Sequence, residues 1–187
     1  MKCVVLISAF LLAASPALAH PGHGGGFAAG FAHPIGGLDH VLAMLAVGLW
    51  ATLRGERAIF AWPAAFVLAM AAGFAATQAG LVLPGVETMI AASVILLGAA
   101  IALRLEAPVR LGAAAIAAFG LAHGAAHGME VQGAALPFAS GFILASLTLH
   151  GAGAGLAFML GRLAARWPAR LLGGGVMLSG LALAFAA

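Results

Sequence analysis

Apolar residues in this chain come in long blocks separated by short polar breaks. The blocks cover Ile35–Leu53, Ala58–Gln78, Val86–Leu103, Val109–Gly128, Leu136–Leu160 and Pro168–Ala186. Each can cross a hydrocarbon core of about 30 Å as a helix rising about 1.5 Å per residue. The pattern predicts an all-α, polytopic transmembrane helix bundle with six spans. A Gly-rich stretch, Gly22–Gly30, precedes the first span. Ahead of it, Lys2, the apolar Val4–Ala14, Pro16 and Ala17-Leu18-Ala19 follow the order of a secretory leader with its cleavage site. The apolar run Val4–Ala19 has 16 residues, short of the roughly 20 needed to span. The chain therefore divides into a cleaved signal peptide, 1–19, and a six-helix membrane domain, 20–187, whose mature N-terminus lies outside the cytoplasmic membrane.

Composition narrows the class further. Only 7% of the 187 residues are charged, against about 25% in an average soluble domain. So few charges cannot cover a soluble fold, and so apolar a chain is not disordered. The excess of 8 Lys+Arg over 5 Asp+Glu does not mark a nucleic-acid binder, because the basic residues form no patch. Apart from Lys2, all seven lie in the breaks: Arg54 and Arg57, then Arg104 and Arg110, then Arg162, Arg166 and Arg170. The alternate breaks, Ala79–Gly85 and Met129–Ala135, contain no Lys or Arg. By the positive-inside rule the arginine side faces the cytoplasm. Six spans then put the N- and C-termini on the other side, periplasmic in a bacterial inner membrane. Cys3, the single cysteine, leaves with the leader, so the mature chain has no disulfide or thiolate ligand.

Ionisable groups inside a membrane are costly and ask for a reason. Glu56 and Glu106 sit beside arginines and read as charge balance. The histidines fall elsewhere. One cluster is His33-Pro34-Ile35-Gly36-Gly37-Leu38-Asp39-His40. Pro34 favours a helix start just after it, which places Asp39 and His40 about one turn into the first span. His33 lies before that helix and can fold back toward it. The second cluster is His123-Gly124-Ala125-Ala126-His127-Gly128-Met129-Glu130. His123 and His127, at i and i+4, share a helical face, and Glu130 returns to it if the helix continues. Such a pair offers a metal two nitrogen ligands. Both clusters sit at the outer face on this topology and can meet. Glu87 opens the third span there, explained equally by ligation and by the helix dipole. His20 and His23 read as a solvated tail, or, with His20 as the mature terminus, its amine and imidazole can chelate a metal together.

His150 is different. It lies about 14 residues into the fifth span, roughly 21 Å of rise, at or past the midplane. It must face protein or water there, with Ser146 one turn above it. Gly151-x-x-x-Gly155 in the same span reads as helix packing. Imidazole and carboxylate without thiolate suit Ni²⁺, Co²⁺, Zn²⁺ or Cu²⁺ alike. A transporter, a membrane metal-dependent hydrolase and a metal-binding accessory subunit are all compatible with these ligands. Lys2 is the sole lysine, so no phosphate-binding lysine loop of the usual kind is present.

In these two clusters the chain resembles the HupE/UreJ family of small nickel permeases. The family's first signature, His, five residues, Asp-His, is matched by His33, Asp39 and His40. Its second, Phe-His-Gly-x-Ala/Val-His-Gly-x-Glu, is matched by His123, Gly124, Ala126, His127, Gly128 and Glu130, with Ala122 in place of the leading Phe. The resemblance covers the whole chain. It implies a non-enzymatic secondary transporter that moves Ni²⁺ inward; the ligand chemistry allows Co²⁺ or Zn²⁺ as other cargo. No cofactor is permanently bound, the partners are the ion and the lipid bilayer, and the metal supplies a hydrogenase or a urease. It carries over to His33, Asp39, His40, His123, His127 and Glu130 as metal ligands; His150 is added on depth alone.

Overall fold

The computed structural model describes residues 26–55, 57–131, 133–162 and 167–186. The leader 1–19, together with His20 and His23, lies outside the described residues. Within them the chain is all-helical: α1 Phe27–Gly36, α2 Leu38–Arg54, α3 Ala58–Gln78, α4 Val86–Leu103, α5 Val109–Glu130, α6 Ala135–Arg162 and α7 Trp167–Ala186. Five of these helices are long and apolar enough to cross a membrane, or six if the bent pair α1–α2 is counted as one span. The chain is a multi-pass membrane protein.

The first span departs from expectation. A single helix over Ile35–Leu53, started by Pro34, is not what forms. Pro34 lies inside a helix, α1, that already begins at Phe27. The chain then turns through 84° before α2 starts at Leu38. The break falls on Gly37, which is extended at φ −94°, ψ 117°. Adjacent glycines at 36 and 37 weaken the helix because they lose the most backbone entropy on ordering. Gly37 is also needed for space: a Cβ there would lie 2.8 Å from Asp39 Oδ1 and 3.0 Å from His40 Nδ1.

Long-range packing is strongest between α3 and α5, α4 and α7, α2 and α6, and α1 and α6. Close approach of backbones holds these seams, because lipid supplies no hydrophobic drive between helices. On α5, Gly120 and Gly124 lie on the carbonyls of Phe66 and Met70, and Gly128 lies on Thr77. Gly48 of α2 lies on the His150 carbonyl, and Gly153 of α6 lies on that of Leu45. A methyl group at Gly48, Gly120, Gly124 or Gly153 would collide with backbone. Gly151 and Gly155, in contrast, have open space where a Cβ would be. The packing expected of that motif is taken within the bundle by Gly153, between them.

Two ends of the bundle result. At one, Trp50 Nε1 donates to Leu105 O (3.1 Å), Trp62 Nε1 to Val109 O (2.9 Å), Arg54 Nε to Ala107 O (3.0 Å) and Arg170 Nε to Ala102 O (3.1 Å). At the other, where α2 begins and α5 ends, the histidines collect.

Candidate metal site

The bend at Gly37 and the full length of α5 together assemble this site. α5 runs to Glu130, two residues past the expected Gly128, and so carries His123, His127 and Glu130 on one continuous helix. The bend brings His33 from α1 against α5, while His40 enters from the first turn of α2. The His33 and His127 ring centroids are 5.0 Å apart. His40 lies 4.8 Å from His127 and 4.9 Å from His123. Below them the Phe66 ring lies 5.2 Å from His123 and 5.2 Å from His150. The rings form a file that starts at half-buried His33 and ends at buried His150.

At the rim, His33 Nε2 meets Glu130 Oε2 at 2.5 Å. One ligand atom each from His33, His127 and Glu130 lie within 4.8 Å of one another, a compact three-ligand group. Glu130 is exposed and His127 buried, so this group connects the surface to the interior.

Further in, hydrogen bonding sets which nitrogens are available. His123 Nδ1 lies 2.9 Å from Phe119 O. A carbonyl only accepts, so Nδ1 carries the proton and Nε2 the lone pair. His40 Nδ1 lies 2.8 Å from Asp39 Oδ1, which orients His40 in the same way when the carboxylate is ionised. The same Asp39 oxygen accepts from the His40 backbone N–H at 2.7 Å. Asp39 thus stands behind His40 as its support, the position a carboxylate takes behind a ligating imidazole. The freed Nε2 atoms of His40 and His123 are buried and have no hydrogen-bond partner among the described residues. The same holds for both ring nitrogens of His127 and of His150.

Such groups are unusual. Leaving a buried donor or acceptor unmade costs about 1–3 kcal/mol, and native folds rarely tolerate six in one locality. These nitrogens are oriented into the interior by packing. His127 stacks on Phe142, 4.7 Å away and inclined by 16°, and Phe74 and Phe138 pack around Phe142. Ser146, one turn above His150, is already committed to Phe142 O at 2.7 Å. Thr148 is exposed and bonded to Leu144 O. Glu87 is exposed in the first turn of α4.

The structure therefore brings His33, His127 and Glu130 into one group, pairs His40 with His123 beside it, puts Asp39 behind His40 and leaves His150 beyond Phe66. Sequence reasoning did not single out the aromatic wall of Phe66, Phe138 and Phe142. Apolar residues in an apolar span carry no distinguishing signal; only the facing helix shows that they line a site.

A family model described as HupE / UreJ protein matches residues 8–183. Protein HupE of Rhizobium leguminosarum bv. viciae is 39% identical over 188 residues, covering 98% of each chain. No solved structure matches the chain.

Proposed function

The chain belongs to the HupE/UreJ family, and from that premise we propose that it carries a divalent transition-metal cation, nickel foremost, inward across the cytoplasmic membrane. The file of buried imidazole nitrogens without protein partners carries this reading. Imidazole with carboxylate suits Ni²⁺ and also Co²⁺ and Zn²⁺; the choice of nickel rests on the family.

The cation is captured at the rim by His33, His127 and Glu130. It exchanges one imidazole at a time onto His40 and His123, whose lone pairs are already oriented. It then passes Phe66 to His150. Transfer between neighbouring ligands keeps the ion coordinated, so at no point is a bare dication desolvated in a low-dielectric interior. The arginine breaks put the opposite end in the cytoplasm and both termini outside. An inside-negative potential then favours entry of a dication by about 4.6 kcal/mol per 100 mV, at about 2.3 per charge. The metal is cargo, destined for a hydrogenase or urease, and no catalytic step is part of the reading.

Uptake of several divalent ions into proteoliposomes containing purified protein tests this. Metal-dependent flux that is lost in His127→Ala supports it. Tight binding without flux would overturn it in favour of a metal-holding accessory role, and lipid or peptide turnover dependent on the same residues would overturn it in favour of a hydrolase.

A further inference from the structure

The opposite end of the bundle contains a cavity of about 400 Å³ between α2, α4 and α6, with Trp50, Leu53, Arg54, Arg104, Leu105 and Glu106 among its walls. Two guanidiniums line one small space. Arg54 is held at its root by the bond from Nε to Ala107 O, which leaves its terminal NH₂ groups to act as donors. Arg104 caps α4 in the left-handed conformation at φ 57°, its backbone N–H bonded to Ala100 O and Ile101 O. It is the one described non-glycine residue with positive φ, a conformation that costs about 1–2 kcal/mol. No carboxylate lies within salt-bridge distance of either arginine among the described residues. Among the described wall residues, two arginines accompany one acid.

A second observation gives this cavity a direction. A shallow groove lined by Thr52, Leu53, Ala157, Phe158 and Gly161 shares Leu53 and Gly161 with it. Thr52 is nearer to mid-span than Arg54, and Ala157 is nearer than Gly161, so the groove runs from the arginines toward the bilayer interior along the α2/α6 seam. Leu53 is 46% and Phe158 61% exposed, which places this wall against lipid. An arginine-lined chamber at the end of the spans that continues into an apolar furrow has the shape of an amphiphile. Basic pockets between membrane helices are a recognised setting for phosphate headgroups, and guanidinium forks match phosphate oxygens.

We propose that this end of the bundle binds one glycerophospholipid of the adjoining leaflet. Its phosphate lies between Arg54 and Arg104, and one acyl chain follows the α2/α6 groove. Glu106 then accepts from a headgroup donor, which phosphatidylglycerol offers as a hydroxyl and phosphatidylethanolamine as an ammonium, whereas phosphatidylcholine has none. The site does not depend on the transport reading, because it uses none of the histidines.

Native mass spectrometry of the full chain, titrated with these three lipids on identical acyl chains and separately with inorganic phosphate, tests the proposal. The expected result is one retained phosphatidylglycerol or phosphatidylethanolamine per chain, phosphatidylcholine held at least fivefold less, and no displacement by inorganic phosphate. Arg54→Gln with Arg104→Asn should lower occupancy about tenfold. Leu160, another wall residue of the cavity, gives a second test: Leu160→Trp narrows the cavity, keeps both arginines, and should also lower occupancy, which decides the matter if the double variant does not fold. Equal retention of all three lipids by wild type and variants, or displacement of the lipid by inorganic phosphate, would overturn it.

Discussion

The two ends of the bundle treat polar groups in opposite ways. At the arginine end, the indoles of Trp50 and Trp62 and the guanidiniums of Arg54 and Arg170 each donate to a carbonyl on a neighbouring helix or in the chain that leads into it. These bonds close the ends of α4 and α5 onto α2, α3 and α7. At the histidine end, six buried ring nitrogens on four histidines have no partner among the described residues. Both regions are rich in rings and poor in charge. The difference is that the Nε donors of these tryptophans and arginines are consumed by the fold, while the imidazole nitrogens are withheld from it. Polar atoms in a membrane bundle are informative chiefly when the fold leaves them unused.

This contrast can be broken most sharply at His127. His127→Phe keeps a ring against Phe142, so metal uptake into proteoliposomes should fall by at least tenfold while the thermal midpoint stays level or rises. Loss of folding with loss of uptake would put His127 among the structural groups. The mirror experiment is Trp62→Phe at the other end. It removes the bond to Val109 O and leaves a void at a fully buried position, which should cost about 1–3 kcal/mol, read as a lowered unfolding midpoint, with uptake reduced less than twofold in folded protein.

Asp39→Asn probes the support behind His40. Loss of a carboxylate behind a ligating imidazole costs about 10–100-fold in metal affinity, and that drop should appear in equilibrium binding with stability little changed. Gly124→Ala tests the seam that presents His123 and His127. The added methyl meets the Met70 carbonyl, and overpacking of this kind costs about 1–3 kcal/mol. Thermal unfolding in detergent should show that loss, while Gly151→Ala, with open space around it, should show none. The smallest effect is expected at Glu87→Gln, whose exposed side chain stands apart from the ring file, and which should lower uptake by no more than twofold.

Much of this architecture is legible in the chain itself. The spans α3 and α4 begin and end where the apolar runs do, because in lipid the backbone must be helical wherever the sequence is apolar. Helix α1 was hidden. Its Gly30, Pro34 and Gly36 look like a tail, and its stability comes from packing on α6, where Gly30 meets the Phe138 carbonyl. No local propensity reveals that. The bend at Gly37 was hidden for the same reason, and with it the way His33 reaches the group. His150 lies within α6, but nothing in its apolar run reveals its neighbours. Counting rise along α6 puts it about 21 Å down, but His123 is itself seven residues below the end of α5, about 10 Å on the same scale. The separation between them is therefore small enough for one ring, Phe66, to bridge.

The glycine contacts have a mechanical consequence. Gly120 and Gly124 join α5 to α3 backbone to backbone, and Gly48 and Gly153 join α2 to α6, with Gly30 fastening α1 to α6. The bundle thus contains two stiff beams. One carries His33, Asp39, His40 and His150, and the other carries Phe66, His123, His127 and Glu130. The close ring contacts between His33 and His127, His40 and His123, His40 and His127, and Phe66 and His150 all cross from one beam to the other. A slide between the beams would change all four spacings at once, moving His40 between His123 and His127, which lie one turn apart on α5, while these glycine seams stayed intact. The histidines sit in the joint of the structure, where a small displacement has the most leverage on their mutual distances.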